Sequence, residues 1–310
     1  MLTNQRSVVL LQLSGGLGNQ MFQYHAGFLY SEIHNIPLVL DFSRVDGDKT
    51  VVRRTKAGLS QLGIRGLTLP KGEILQSRKL DRYVRSNTLA NLSDKWKKSG
   101  LIDFEGLGES LTQKDLDFHR PFAKKTRLRG YFQSLHLLQG AETNGSNLKF
   151  ESERASRNFR NISGDISKKN DLGIHVRLGD YLIQGNAPLI FTDYYQRAIN
   201  RAILDGGVKR IWIFSDDSIL CRQLLSLDTE LEVIYVPSSL LNDIESMEVL
   251  SMFSRVVISN SSFSYLAAYK ESRDKEVFCP SPWFMNSDVC IFQNFPSTWH
   301  EIQIEFNSKL

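Results

Sequence analysis

The chain has 310 residues and a formal net charge of +4, with 41% hydrophobic and 23% charged residues, a composition typical of a globular protein. No segment approaches the roughly 18 uninterrupted apolar residues of a membrane-spanning helix, which excludes the integral membrane classes. The length exceeds what one hydrophobic core normally organises, so we expect two domains of about 150 residues each, with a cleft between them.

The N-terminal residues and the cysteines both favour a cytoplasmic location. Met1 to Arg6 is polar, and the apolar run Val8 to Leu13 that follows is too short for a signal peptide. The cysteines form an odd set without Cys-x-x-Cys spacing: Cys221, Cys279 and Cys290. Neither a disulfide framework nor a structural zinc site is expected from them.

The first fifth of the chain has the pattern of a βαβ unit. Val8 to Ser14 is a β-branched apolar run that predicts a strand, and Gly15 and Gly16 end it. Asn19 to Asn35 carries apolar residues at helical spacing and predicts a helix. A second strand is predicted from Pro37 to Asp41.

The middle of the chain is less regular. Gly47 to Phe122 predicts mixed helices and loops, and Arg127 to Gln133 predicts a strand followed by a helix from Ser134. Gly145 to Lys169 is polar and charged, so the domain boundary is placed near Ser163 to Asn170. The predicted domains are residues 1–165 and 166–310.

Beyond that boundary, apolar strands and amphipathic helices alternate. Strands are predicted at Leu172–Arg177, Arg210–Phe214, Leu231–Val236, Val256–Ser259 and Glu276–Phe278. Helices are predicted at Asp193–Leu204, Ser218–Leu225, Asp243–Phe253 and Phe263–Glu271. This rhythm predicts a doubly wound parallel sheet, and the absence of a fixed period excludes solenoid folds.

Three glycines lie between the first predicted strand and helix: Gly15, Gly16 and Gly18. Missing side chains let a ligand approach backbone N–H groups, and a helix N-terminus favours negative charge, so a phosphate or a hydroxyl-rich sugar fits there. The spacing is similar to the dinucleotide-binding fingerprint, with Asp41 ending the next strand, although Met21 replaces the third glycine. A tight turn with Asn19 as helix N-cap explains the same residues without a ligand.

The first strand of the second predicted domain ends in polar residues. Arg177 follows a buried strand, where a guanidinium can clamp a diphosphate through two hydrogen bonds without a metal. His175 lies two residues earlier and points to the same side of the strand. Each has a structural alternative: a buried core histidine for His175 and an ion pair with Asp180 for Arg177.

Two further polar groups follow predicted strands. Asp216 and Asp217 end the run Ile211 to Phe214, where carboxylates can accept from a base or ribose, bind a divalent metal, or cap the next helix. The other group combines hydroxyls with helix-start amides in a corner that accepts an anion, and comprises Asn260, Ser261 and Ser262. Capping alone explains two of these three.

Basic residues cluster in Arg53–Lys56, Arg78–Lys98 and Lys124–Arg129. These clusters fit solvated faces of the N-terminal domain, and they also fit contact with a membrane surface or an anionic ligand. No aromatic-interleaved basic motif accompanies them, so nucleic acid is not an expected partner.

Four segments in this order resemble those of the α-1,2-fucosyltransferases of glycosyltransferase family 11. They are Gly15–Tyr24, His175–Tyr181, Phe214–Asp217 and Ser259–Tyr269, and Gly130–Ser134 is similar to the family's middle segment. The resemblance implies an α/β, GT-B-like fold, in which two Rossmann-type domains face each other across a cleft and the C-terminal one binds the donor.

The resemblance also implies a reaction. L-fucose would pass from GDP-β-L-fucose to O2 of a terminal galactoside in a glycan acceptor, with inversion and with no metal or other cofactor. The implied donor contacts are His175 and Asp216 or Asp217 at guanosine, Arg177 at the diphosphate, and Asn260, Ser261 and Ser262 near the phosphates. Gly16, Gly18 and Asn19 would close over the donor from the other domain.

The catalytic residues implied are Arg177, which lowers the barrier electrostatically, and Asp180, the nearest motif carboxylate, as general base. Glu245, or no fixed base at all, is the alternative. The chain departs from the family pattern at Leu178, where a second arginine is usual, and at three positions before the Ser-Asn-Ser-Ser segment: Ser246, Phe253 and Arg255.

Two other functions fit parts of the sequence. A nicotinamide-dependent Rossmann oxidoreductase would use Gly16, Gly18 and Asp41, and a non-catalytic sugar-nucleotide-binding protein would use the same pocket as the transferase. For the transferase we expect a cytoplasmic enzyme whose basic N-terminal face can contact the inner membrane, close to lipid-linked acceptors.

Overall fold

The computed structural model describes residues 8–41, 45, 67–69, 73–75, 100–103, 111–118, 125–146, 156–183, 189–204, 206–270, 275–283 and 295–304. The basic clusters Arg53–Lys56 and Arg78–Lys98, and most of the region 47–122, lie outside these residues. The chain divides into two compact units, Met1–Lys149 and Phe150–Leu310. The division falls earlier than the boundary predicted from sequence.

The first unit contains a four-stranded parallel sheet and a separate antiparallel strand pair. In chain order its strands are β1 (Val8–Gln12), β2 (Leu38–Asp41), β3 (Leu67–Leu69), β4 (Glu73–Leu75), β5 (Gly100–Asp103) and β6 (Lys125–Arg129). The helices that the structure describes in this unit are α1 (Leu17–His34), α2 (Gln113–Phe118) and α3 (Leu135–Thr143). The parallel strands lie in the order β2-β1-β6-β5, and β3 pairs with β4.

Helix α1 begins earlier than predicted, because the turn after β1 uses glycine rather than a side-chain cap. Gly15 has a positive φ of 78°, and Gly16 is the N-cap residue without a side-chain hydrogen bond. Asn19 therefore lies within the first turn, and its interpretation as the N-cap is wrong. Its Oδ1 instead accepts a hydrogen bond from Gln133 Nε2 at 2.8 Å.

The second unit is a doubly wound sheet of six parallel strands. These are β7 (Asp171–Val176), β8 (Arg210–Ser215), β9 (Glu232–Tyr235), β10 (Arg255–Val257), β11 (Glu276–Ser281) and β12 (His300–Gln303). The helices are α4 (Arg157–Asp165), α5 (Gly179–Ile183), α6 (Tyr194–Ile203), α7 (Ser218–Leu224), α8 (Asp243–Ser251) and α9 (Ser262–Tyr269). The predicted α/β class with parallel sheets is confirmed.

The strand order β12-β11-β10-β7-β8-β9 reverses direction at β7. The chain winds outward from β7 through β8 to β9, then returns to β10 on the other side of β7. In a doubly wound sheet, the crevice outside the carboxyl ends of the strands at this reversal is where ligands bind. The topology therefore places the loops after β7 and β10 side by side.

Strand β7 is buried along its whole length, as a central parallel strand should be. Leu172, Ile174 and Val176 are fully buried in the core of the second unit. On Gly173, a Cβ atom would lie 2.8 Å from the ring of Phe253, so glycine there lets this ring pack directly on the strand. Phe253, one of the departures from the family pattern, thus fills core space.

At the amino end of the same strand, a buried carboxylate holds four donors. Asp171 accepts from Arg210 Nε at 3.0 Å and Nη2 at 2.7 Å, from Trp212 Nε1 at 3.1 Å, and from Ser167 N at 2.8 Å. Its side chain has no exposed surface. Because the carboxylate is fully hydrogen-bonded, this cluster fastens β8 and the loop before β7 together.

We expect Asp171→Asn to lower the free energy of unfolding by about 3 kcal/mol, since it breaks a buried, charge-assisted network. Asp193→Asn is the matched control, because its ion pair with Arg197 is long, at 3.6 Å, and half-exposed. That control should cost less than about 0.5 kcal/mol in urea denaturation. Equal losses in the two variants would contradict the structural role of Asp171.

Candidate active site

Most of the polar residues singled out in the second unit lie at the carboxyl edge of its sheet, around the reversal of strand order. His175 is near the end of β7, Arg177 follows it, and Asn260 and Ser261 follow β10. Because β7 and β10 are paired in parallel, their carboxyl ends meet at one edge. Asp216 reaches the same edge from β8, on the other side of β7.

His175 is buried and linked to the turn after β10. Its side chain is 5% exposed, and Nδ1 lies 2.9 Å from Ser259 Oγ. Its ring lies on that of Phe263, with centroids 5.1 Å apart, and Tyr195 OH donates to its carbonyl at 3.3 Å. Burial lowers the pKa of His175 to about 3, and the charge of Arg177 acts in the same direction. The imidazole is therefore neutral at physiological pH and can supply hydrogen bonds but no charge.

Arg177 is held beside the edge by a carboxylate from the neighbouring strand. Its Nη1 lies 3.0 Å from Asp216 Oδ2, and the guanidinium stands over the ring of Tyr181, with Cζ 5.7 Å from the centroid. The other oxygen of Asp216 accepts from Leu178 N at 2.9 Å. Asp216 thus holds both the guanidinium and the backbone next to it. The Arg177 side chain keeps 28% of its surface exposed, so its donors can reach a bound anion.

Gly179 makes the close approach of Asp216 possible. A Cβ atom at this position would overlap Asp216 Oδ2, the oxygen that pairs with Arg177. Because the Asp216 carboxylate already pairs with Arg177 and accepts from Leu178 N, it cannot move aside without breaking one of these contacts. The glycine of the central motif is therefore explained by packing against a carboxylate.

The segment after β10 forms a capped helix start. Ser261 is the N-cap of α9, and its Oγ accepts from Phe263 N at 3.3 Å. Ser264 Oγ donates to the carbonyls of Ser259 and Ser261, each at 3.1 Å. Ser262 is the first residue of α9, where backbone N–H groups point outward from the helix. The capping expected for this segment is confirmed, and the helix start favours negative charge.

Three other predicted site residues have different surroundings. Asp217 is exposed and caps α7 by accepting from Leu220 N at 3.0 Å, which confirms the capping alternative. Glu245 is buried in a capping box, and its oxygens accept from Ser156 N at 2.7 Å and Asn242 N at 3.2 Å. The side chain of Asp180 lies outside what the structure describes.

In the first unit, buried side-chain amides join the loop after β1 to the loop after β6, where the strand order β2-β1-β6-β5 reverses. Gln23 is fully buried, and its Nε2 donates to Ser14 Oγ at 3.1 Å and to Gly130 O at 3.0 Å. Gln20 Nε2 donates to Gly15 O at 2.9 Å. These bonds fix the turn that carries Gly16, Gly18 and Asn19, and sequence analysis did not identify the glutamines.

Neither a metal site nor a spanning helix is found in the part of the chain that the structure describes. No group of three or more His, Cys, Asp or Glu side chains there could hold a metal ion. None of the helices there has the length and hydrophobicity of a membrane-spanning segment. Metal independence stays a prediction.

Residues 126–300, more than half of the chain, match the family described as glycosyl transferase family 11. The chain belongs to glycosyl transferase family 11. The resemblance carried by the four sequence segments is thereby confirmed at the level of the family. A family 11 glycosyltransferase is an enzyme of group transfer, so the assignment favours a transferase over the nicotinamide-dependent oxidoreductase.

Two curated relatives are similar over nearly the whole of this family 11 chain. An α-1,2-colitosyltransferase from Escherichia coli is 24% identical, covering 96% of this chain and 99% of the relative. The O-antigen biosynthesis glycosyltransferase WbnK from Escherichia coli is 26% identical, covering 89% of this chain and 95% of the relative.

Two solved structures share the fold. The fucosyltransferase NodZ from Bradyrhizobium superposes with a TM-score of 0.51 at 15% identity, covering 84% of this chain and 91% of that chain. POFUT1 in complex with GDP superposes with a TM-score of 0.50 at 12% identity, covering 88% of this chain and 96% of that chain. At such identities the likeness supports the fold alone, and the predicted GT-B-like class is confirmed.

The close contact between Gly179 and Asp216 predicts that a side chain at position 179 lowers activity. Gly179→Ala should displace the Asp216 carboxylate and with it Arg177, so we expect the transfer rate to fall at least about tenfold, since small misplacements at a site are costly. Gly164→Ala is the control, because a Cβ there meets nothing within 4 Å and the residue is exposed in a helix. Normal transfer by both variants would show that Gly179 tolerates a side chain.

The buried His175 predicts a pH dependence of stability. Its pKa is near 3 in the folded chain against 6.5 ordinarily, so below pH 6.5 the unfolded chain binds a proton that the folded chain does not. As the pH is lowered from 6.5 towards 3, the free energy of unfolding should fall by about 1.4 kcal/mol per pH unit on account of this histidine. Urea denaturation of His175→Gln at pH 7 and pH 5 should show a shallower loss than the parent. An unchanged slope would contradict a buried, neutral His175.

Proposed function

We propose that this family 11 enzyme transfers L-fucose from GDP-β-L-fucose to O2 of a terminal galactoside, with inversion, to form an α-1,2 linkage. One observation carries the proposal: the Arg177 guanidinium is held by Asp216 at 3.0 Å at the reversal of strand order, in the segment that contacts the turn before α9. Arg177 and the amides at that helix start are suited to an anionic leaving group.

The transfer reaction builds negative charge on the leaving GDP, and a guanidinium and backbone amides can stabilise that charge. The acceptor O2 forms a bond to the anomeric carbon of fucose while the bond from that carbon to the β-phosphate oxygen breaks, and its electron pair leaves with GDP. Negative charge therefore grows on the β-phosphate as the sugar becomes oxocarbenium-like. A guanidinium and amide donors already aimed at this charge lower the barrier, because they need no reorganisation during the step.

Neutral His175 and Asp216 are proposed to face guanosine, with Asp217 as the alternative carboxylate. Asn260, Ser261 and Ser262 are proposed near the phosphates. His175 can offer a hydrogen bond to an uncharged base edge, which suits its low pKa. Gly16, Gly18 and Asn19 of the first unit remain predicted donor contacts.

The acceptor hydroxyl must lose its proton as it attacks. We propose Asp180 as the general base, since both oxygens of the alternative, Glu245, already accept backbone N–H bonds from Ser156 and Asn242. A carboxylate committed to two backbone donors in a capping box has little capacity to take a proton from substrate.

One curated relative supports the proposed α-1,2 linkage and suggests colitose as an alternative donor sugar. The α-1,2-colitosyltransferase, which matches 96% of this chain, supports an α-1,2 linkage and favours colitose as the alternative donor sugar. Colitose is fucose without its 3-hydroxyl, so the two donors differ by one hydrogen-bonding group. A site built to bond that hydroxyl rejects the deoxy sugar strongly, whereas an apolar site does not.

The proposed acceptor is a galactose-terminated glycan, and the proposed location is the cytoplasm. The WbnK relative is named for O-antigen biosynthesis, which supports a polysaccharide acceptor at the inner membrane. Basic residues of the first unit would strengthen contact with that anionic surface.

The test is a transfer assay with purified protein, GDP-fucose or GDP-colitose, and a panel of β-galactosides in the presence of a chelator. We expect one fucosyl residue to be added to galactose O2, as determined by mass and linkage analysis. Binding of GDP-fucose with no release of GDP when a galactoside is added would favour the non-catalytic nucleotide-binding protein. Enhanced NADH fluorescence without GDP competition would favour the oxidoreductase.

Arg177→Ala should lower transfer at least about 100-fold while the thermal unfolding transition stays in place, because the guanidinium stabilises charge that grows in the transition state. Arg197→Ala is the matched control, since that arginine is 39% exposed in an i,i+4 pair on α6. Near-normal turnover by Arg177→Ala would remove Arg177 from the reaction.

A further inference from the structure

Tyr181 makes two contacts that join the two halves of the proposed phosphate site. Its hydroxyl donates to Asn260 O at 2.7 Å, in the turn between β10 and α9. Its ring lies beneath the Arg177 guanidinium, with 5.7 Å between Cζ and the ring centroid. A single side chain on α5 thus contacts the arginine after β7 and the backbone before the N-cap of α9.

Another link between these segments lies deeper in the molecule. His175 and Ser259 bond at 2.9 Å with both residues almost fully buried, so that contact belongs to the core. Tyr181 is only half-buried, and Arg177 keeps 28% of its side chain exposed. Tyr181 therefore joins the segments at the level where the guanidinium can meet a ligand.

We propose that Tyr181 is a positioning residue for the transfer reaction, which sets the placement of Arg177 relative to the helix start of α9 through its hydroxyl and its ring. This inference rests on the proposed function, because it assigns both groups to the leaving diphosphate. Tyr181 touches neither donor nor acceptor in this proposal and acts through Arg177 and Asn260.

Loss of the Tyr181 contacts should act mainly on the transition state, in which negative charge develops on the leaving diphosphate. The diphosphate of GDP-fucose gains negative charge as GDP departs. The alignment of the Arg177 guanidinium with the amides at the start of α9 therefore matters more for binding the transition state and GDP than for binding GDP-fucose. A lost Tyr181 hydroxyl removes one hydrogen bond, which is too little to unfold the chain. A misplaced donor group at a reacting centre costs considerably more in rate.

The second unit provides a control with the same two contacts elsewhere. Tyr235 OH donates to Leu225 O at 3.4 Å, and Arg222 Cζ lies 5.0 Å from its ring centroid. Tyr235 is on β9, the edge strand farthest from β10 on that side of the sheet. Tyr235→Phe therefore makes the same chemical change outside the candidate active site.

The experiment compares Tyr181→Phe, Tyr181→Leu and Tyr235→Phe for kcat, KM for GDP-fucose, GDP affinity by calorimetry, and thermal unfolding. We expect Tyr181→Phe to lower kcat and GDP affinity about tenfold with KM changed less than about threefold, and Tyr181→Leu to lower kcat further. Tyr235→Phe should leave all three constants unchanged. Unfolding transitions should coincide for the two Phe variants.

A double-mutant cycle separates positioning from a general structural role. If Tyr181 acts through Arg177, the effect of Tyr181→Phe on kcat should shrink in an Arg177→Lys background, because lysine lacks the planar group that lies over the ring. Equal effects in both backgrounds, or Tyr181→Phe behaving as Tyr235→Phe does, would overturn the inference while the parent still transfers fucose. A parent that binds no GDP would overturn the proposed function itself and this inference with it.

Discussion

The arrangement of the candidate site depends on one carboxylate shared between a side chain and the backbone. Asp216 reaches across from β8, pairs with Arg177 at 3.0 Å, and accepts from Leu178 N at 2.9 Å. Because one group binds both, the guanidinium and the turn that carries it are held together, and Gly179 leaves the room for it. On the other side of β7, Tyr181 and the turn after β10 hold the same segment. Parallel pairing of three neighbouring strands makes this possible, since all three end at one edge.

The two units use different chemistry at the reversal of strand order. In the first unit, the amides of Gln20 and Gln23 bind the backbone of the loop after β1 and the carbonyl of Gly130. In the second unit, the corresponding edge carries the Arg177 guanidinium, the Asp216 carboxylate and the neutral imidazole of His175, whose pKa burial lowers to about 3. Amides hold loops in place without a net charge, while a guanidinium beside a helix start attracts anions.

Sequence patterns predicted the parallel sheet of the second unit because buried parallel strands appear as continuous apolar runs, as in Ile211–Phe214. They did not predict α4, since that helix is short and mostly polar and only Phe159 of it is buried. The sequence offers Asp180, three residues along in the same motif, as the partner of Arg177, because spacing along the chain is the distance that a sequence provides. Its pairing with Asp216 depends on the adjacency of β7 and β8, which only the folded sheet supplies.

The absence of a second arginine in the central motif has a physical consequence. Leu178 is fully buried in the core of the second unit, and its backbone N–H is bound to Asp216. A guanidinium on a side chain in that position would lie among apolar residues, where an unpaired charge is expensive. Arg255, another departure, pairs with Glu276 at 2.6 Å at the start of β10, on the edge of the sheet opposite the site. It offers no replacement for the missing charge. Within the central motif, the proposed stabilisation of a departing diphosphate therefore rests on Arg177, so the contacts that hold Arg177 in place carry more of the proposed reaction than they would beside a second arginine.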